Sequence, residues 1–193
     1  MKTLLVNNYL TKPSKINRLQ LEISRITEDS PKLLHVSNLE GFNVEKFKAI
    51  VLSGGEAPLN WPEVTETYSK VASWIRGIRK PILGICFGHQ LIGFAFGGRV
   101  ARFNRKFEGF QEINILNYDN IFRDLPKRIN VYKSNKRVVV KIMRDFELLA
   151  KGSAYEVEAF NHKVFGVQFH PEYYSEKFSH GKKILENFFE QCN

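Results

Sequence analysis

Apolar residues follow two different rhythms along this chain. The first half alternates short unbroken apolar runs with stretches of helical spacing. Lys2–Val6 reads as a first strand. Pro13 is a good helix start, and Ile16, Leu19, Ile23 and Ile26 recur at helical spacing through Ser14–Ile26. Leu33–Val36 is a second strand, and Ala49–Leu52 a third, continuous and apolar as in a strand buried on both faces. That run stops at Ser53-Gly54-Gly55. Val64–Gly77 is helical, with Val64, Val71, Trp74 and Ile75 apolar; Pro81–Ile85 is another buried strand and Gly88–Phe96 an apolar helix.

The second half reads as short strands divided by turn residues: Phe110–Leu116, Ile129–Tyr132, Val138–Ile142, Glu147–Ala150, Tyr155–Phe160 and Val164–Phe169. Asn161-His162-Lys163 has the look of a hairpin turn, and a helix over Ser175–Gln191 closes the chain. Alternating strands and helices predict an α/β fold with a parallel sheet. The expectation is one domain over 1–193, with a central, mostly parallel mixed sheet flanked by helices. The second half adds a small antiparallel sheet. No repeat, low-complexity tract or Gly/Ser linker divides it.

Composition narrows the classes. At 43% hydrophobic and 25% charged, the chain is an ordinary globular one. No run approaches the roughly 20 apolar residues of a membrane helix, and the short apolar start reaches Asn7-Asn8 too soon for a secretory signal. A cytoplasmic protein without membrane contact is expected. Two cysteines, Cys86 and Cys192, cannot build a disulfide framework, and no Cys or His pair has zinc-site spacing, so no metal or cofactor is expected. A net charge of +9 favours acidic partners or substrates. The cations gather in 76–80, 99–106 and 127–144. Solvated faces account for such runs most simply. An acidic protein or phosphorylated metabolite is the next reading, and nucleic acid is not expected, since no recognition module accompanies the charge.

Two motifs carry chemistry. In Pro81-Ile82-Leu83-Gly84-Ile85-Cys86-Phe87-Gly88-His89-Gln90, a buried strand enters Gly-x-Cys-x-Gly and then a helix. That is a nucleophile elbow with cysteine in the serine position. Small residues at 84 and 88 suit a tight turn, and a helix N-terminus favours the thiolate. An idle cysteine in a glycine-bounded turn is the plain alternative, because free cysteines are usually small buried hydrophobes. Farther on, the strand Val164–Phe169 delivers His170-Pro171-Glu172. A cysteine hydrolase needs a base, and the base needs a carboxylate to fix its tautomer. Each motif supplies what the other lacks. His35, His162 and His180 read as structural or surface residues, and His89, one turn into the helix, as packing.

These residues resemble the class I (triad-type) glutamine amidotransferases. The likeness rests on three ordered motifs: Val51-Leu52-Ser53-Gly54-Gly55, Gly84-Ile85-Cys86-Phe87-Gly88-His89-Gln90 and Gly166-Val167-Gln168-Phe169-His170-Pro171-Glu172. It implies glutamine as substrate, Cys86, His170 and Glu172 as catalytic triad, and backbone N–H groups of Gly55 and Phe87 as oxyanion hole. Gln90 would help hold glutamine, and the backbone of Gly109, Phe110 and Gln111 would bind its α-groups. It also implies a separate ATP-using synthase subunit that receives the ammonia.

Within the family, Ile121–Lys127 and Val131–Ser134 are similar to the amidotransferase subunit of GMP synthase. The subunits of anthranilate and aminodeoxychorismate synthases usually carry a His-Gly-Lys segment that Arg102–Phe107 lacks, and a serine where Tyr173 stands. Two departures stand out: Glu56 replaces a usual proline, and Asn135 a usual histidine. A γ-glutamyl hydrolase acting alone and a non-catalytic docking module on the same fold remain as alternatives.

Overall fold

The computed structural model describes residues 1–57, 62–118, 120–162 and 164–192, without the side chains of 62–67. Lys163, at the expected hairpin turn, and the Val64 side chain lie outside the described residues. The first half runs β1 (Thr3–Asn8), α1 (Asn17–Thr27), β2 (Lys32–His35), β3 (Ala49–Gly55), α2 (Pro62–Gly77), β4 (Ile82–Ile85) and α3 (Phe87–Ala95). The second half runs β5 (Arg99–Ile115), β6 (Arg128–Lys141), β7 (Glu147–Gly152), β8 (Ala159–Asn161), β9 (Phe165–Val167) and α4 (His180–Glu190). Pro13–Ile16, the start of the expected first helix, forms a 3₁₀ turn leading into α1.

The described strands form one mixed sheet in the order β2-β1-β3-β4-β9-β8-β7-β5-β6. From β2 to β9 the pairs are parallel, and from β9 to β6 antiparallel. The antiparallel strands thus extend the central sheet, with β9 as the strand shared by both regimes. Strand alternation sorts the core into two layers. Leu5, Val51 and Leu83 face α1 and α4 through Leu19, Ile23, Ile184 and Phe188. Leu4, Val6, Ile50, Leu52 and Ile82 face α2 and α3 through Tyr68, Val71, Leu91 and Ile92. Burial on both faces is why these strands read as unbroken apolar runs.

Two strands are longer than the hydrophobic pattern predicts. β6 runs unbroken through Lys133-Ser134-Asn135, where the polar residues suggest a gap between strands. Lys133 is 1% and Asn135 6% exposed, so both point inward. The Lys133 ammonium is ion-paired with the fully buried Glu158, which lets a lysine occupy a core position. β5 begins at Arg99, because the charged segment before Phe110 pairs with β6 as a ribbon.

Candidate active site

Cys86 stands between the end of β4 and the start of α3 with φ 51° and ψ −97°. A non-glycine residue there carries a strain of about 1–3 kcal/mol, held by its surroundings. Its N–H donates to the Val167 carbonyl at 2.8 Å, and its own carbonyl accepts from the Gln90 N–H at 3.1 Å. The flanking glycines are required by contact. A Cβ on Gly84 would lie 2.6 Å from the Gly88 backbone, and one on Gly88 would lie 2.4 Å from the Leu52 carbonyl oxygen. Strand, elbow and helix therefore close on one another only because those two positions lack side chains.

The His-Pro-Glu corner follows β9, the parallel neighbour of β4. The His170 N–H donates to the Tyr132 carbonyl at 2.8 Å, and His170 Nδ1 lies 2.9 Å from Glu172 Oε1. Both side chains are buried. Arg18 Nε, from α1, donates to the Glu172 carbonyl at 3.1 Å. Arg18 is itself held by the buried Glu22, which also takes Arg25 and the Tyr174 hydroxyl. A polar network thus fastens the corner to the helix layer.

Burial opposes charge on His170, yet the Glu172 carboxylate and then the Cys86 sulfur outweigh it. The imidazole pKa is held well above its ordinary value of 6.5. Cysteine, histidine and glutamate therefore meet at one point, although a long stretch of chain separates Cys86 from His170. Burial, and then Glu172 and Cys86, push the Tyr9 phenol far up, so it stays neutral. Its hydroxyl closes over Gly54, where a Cβ would lie 2.5 Å from it and 3.0 Å from His170 Cε1.

A cleft of about 260 Å³ opens beside the sulfur. Gly55, Glu56 and Ala57 line it from the end of β3, and Cys86, Phe87 and Gln90 from the elbow. Lys106 and Ser134–Arg137 close it from the β5–β6 ribbon. Asn8 positions the Gly55 side: its N–H donates to Ser53 Oγ at 3.0 Å and its Nδ2 to the Ser53 carbonyl at 2.8 Å. Gln90 Nε2 donates to the Arg137 carbonyl at 2.8 Å and to Gln168 Oε1 at 3.2 Å, while Gln168 Nε2 lies 3.6 Å from Cys86 Sγ.

Gly55, Phe87 and Gln90 are accordingly gathered at the sulfur. Gly109, Phe110 and Gln111 sit on β5 opposite Lys133, Tyr132 and Val131 and do not line the cleft. Two further residues at the site, Gln168 and Tyr9, escape the motif reading. Gln168 lies inside the third motif and faces the sulfur by strand alternation, a legible signal; Tyr9 arrives only through sheet order. His89 is fully buried and stacked on Phe160 with centroids 4.5 Å apart, and burial drives its pKa down to about 3, so it is a neutral packing residue. Among the described residues no group of three or more His, Cys, Asp or Glu could hold a metal ion.

A glycine-bounded cysteine at a strand–helix junction, with a histidine–carboxylate pair at the end of the neighbouring parallel strand, is the arrangement of a cysteine hydrolase of the amidotransferase type. The family profile described as Glutamine amidotransferase class-I matches residues 5–192, and the chain belongs to that family. Within it, the chain is 36% identical to the glutamine-hydrolyzing subunit of GMP synthase from Methanobrevibacter smithii, covering all of this chain and 96% of that protein. It is 33% identical to the corresponding GMP synthase subunit of Pyrococcus furiosus, covering 92% and 93%. A crystal structure of a candidate GMP synthase subunit from Thermoplasma acidophilum superposes with a TM-score of 0.85 at 27% identity, over 100% of this chain and 94% of that one. A glutamine amidotransferase from Thermotoga maritima shares the fold, with a TM-score of 0.82 at 19% identity, covering 100% and 97%.

Proposed function

We propose that this chain hydrolyses glutamine to glutamate and ammonia through Cys86, His170 and Glu172. In this reading the ammonia passes to a separate ATP-using synthase subunit that makes GMP. The observation that carries the chemistry is the buried His170 imidazole, bonded to Glu172 and standing beside Cys86, with both partners raising its pKa. The pathway rests on the similarity to glutamine-hydrolyzing GMP synthase subunits along nearly the whole chain.

With Nδ1 committed to Glu172, Nε2 is the nitrogen left to serve the sulfur. The Cys86 thiolate attacks the glutamine side-chain carbonyl carbon, and the C=O electron pair moves onto oxygen. Backbone N–H groups of Gly55 and Phe87 stabilise that oxyanion. Collapse breaks the C–N bond while His170 gives its proton to the departing nitrogen, leaving a γ-glutamyl thioester and ammonia. His170 then takes a proton from water, hydroxide adds to the thioester, and glutamate leaves as the thiolate returns.

Gln90 and Gln168 hold the amide end. The α-groups go to the border of the cleft, where the backbone of Gly109, Phe110 and Gln111 continues toward Ser134. Among the described residues Glu56 is the one carboxylate in the lining; its Oε2 accepts from Thr11, which leaves Oε1 for the α-ammonium. A cytoplasmic location belongs to the same proposal; among the described residues no helix is long and apolar enough to cross a membrane.

The test is glutamate release from glutamine by wild type and Cys86→Ser, each with and without the synthase subunit. Release that depends on Cys86 and rises with the synthase is expected. Equal release by both proteins would remove Cys86 from the reaction.

A further inference from the structure

The β5–β6 ribbon carries a feature the hydrolysis does not use. Pairing runs to Arg102↔Arg137 and resumes at Phe107↔Asn135. The residues of β5 from Phe103 to Lys106 therefore bulge out against the single Lys136 of β6. The bulge is built on an aromatic anchor. Phe103 and Phe107 pack edge-on at 5.4 Å, and Phe107 packs on Tyr155 at 5.2 Å, over a small core that includes Val138. Arg105 lies 5.0 Å over the Phe107 ring. Such packing fixes the projection of the bulge.

Its tip and flanks are basic. Neither 99–106 nor 128–144 contains an acidic residue. Arg102, Arg105 and Lys136 are exposed and have no carboxylate partner among the described residues. Arg102 and Arg137 stand opposite each other, and like charges in cross-strand pairs are unfavourable. Burial and the facing Arg102 both pull the Arg137 guanidinium below its ordinary pKa. Guarding the free edge of β6 does not explain the arrangement, because Arg102 and Arg105 belong to the inner strand β5. The cations instead surround one wall of the cleft, which Lys106, Lys136 and Arg137 line.

We infer that this basic bulge is the docking surface for the synthase subunit, which meets it with a face rich in Asp and Glu. The inference rests on the proposed amidotransferase reading. Ammonia released into neutral water takes a proton and ceases to be a nucleophile, so the acceptor must cover the cleft mouth, and the bulge stands at that mouth. Unpartnered cations there gain counter-charges on docking and steer the encounter.

The test uses R102E/R105E, since neither residue lines the cleft or is assigned to the chemistry. Circular dichroism and glutamate release by the free amidotransferase check that fold and basal activity are unchanged. Affinity for the purified synthase subunit of the same organism is measured by calorimetry across a salt series. Wild-type binding should weaken as salt rises, and the variant should bind at least about tenfold more weakly with a flatter salt dependence. A variant that binds as tightly as wild type overturns the docking surface. So does a wild type that hydrolyses glutamine yet ignores the synthase, or one that prefers a short single-stranded RNA included as competitor. Loss of Cys86-dependent glutamate release from wild type would instead sink the amidotransferase reading itself.

Discussion

The elbow and the His-Pro-Glu corner deliver groups to the same point by different physics. Cys86 is held by backbone: a positive φ, two bonds to neighbouring main chain, and glycines that let β4, α3 and β3 close around it. The corner is held by charge: a buried imidazole–carboxylate pair whose loop is tied to α1 through Arg18 and Glu22. Main-chain geometry is insensitive to pH but intolerant of added volume. A charge network tolerates small changes of volume but answers to protonation and to loss of a partner. The two halves of the site should therefore fail in different ways.

The largest effect is expected from Cys86→Ser, which keeps the turn and replaces the proposed nucleophile. Glutamate release should fall by roughly 10⁴-fold or more while the thermal midpoint stays close to wild type. A surviving rate within about tenfold would separate the elbow from the chemistry.

Glu172→Gln breaks the corner without moving its backbone. A loss of roughly 10²–10⁴-fold in kcat is expected, by analogy with amide replacement of a triad carboxylate. The pH profile supplies the sign. His170 is held above 6.5, so the protonated imidazole persists above neutrality and activity falls as pH rises through the raised value. The stability the proton contributes is fully present below 6.5 and is lost as pH climbs through the raised folded-state pKa. Removing the carboxylate should move the alkaline limb of kcat/KM toward lower pH; an unmoved limb would assign it to another group.

Gly88→Ala probes the elbow alone. Its methyl would meet the Leu52 carbonyl oxygen at 2.4 Å, so roughly 3 kcal/mol of stability should be lost, with little dependence on pH. Denaturant melts at two pH values measure both quantities.

The smallest effect belongs to Arg18→Met, which removes the tie between α1 and the Glu172 carbonyl. About 1 kcal/mol of stability and a several-fold drop in kcat with KM nearly unchanged are expected. A change in KM alone would mean the tie serves substrate binding rather than the corner.

Much of this is legible in the chain alone, wherever one physical signal acts locally. Apolar runs mark the doubly buried strands β3 and β4, because both faces of those strands meet helices. Glycines at 84 and 88 announce a close approach, and the Pro171 corner announces a pair of groups turned to one side. The pattern starts the closing helix too early, at Ser175, whereas α4 begins at His180. It also breaks β5 and β6 into fragments, because their inward polar residues satisfy one another only across strands that are distant in sequence.

The sequence by itself thus determined most of the elements of the first half and the elbow, and nominated Cys86, His170 and Glu172, since each of these readings depends on neighbours a few residues away. Only the tertiary structure decided that β9 lies beside β4, and with it the meeting of His170 and Cys86. It also decided that Gln168 touches the sulfur, that Tyr9 closes over Gly54, and that a basic bulge stands at the cleft mouth. Strand order and register are settled by which faces can be buried together, a property of the whole sheet that no local window of residues contains.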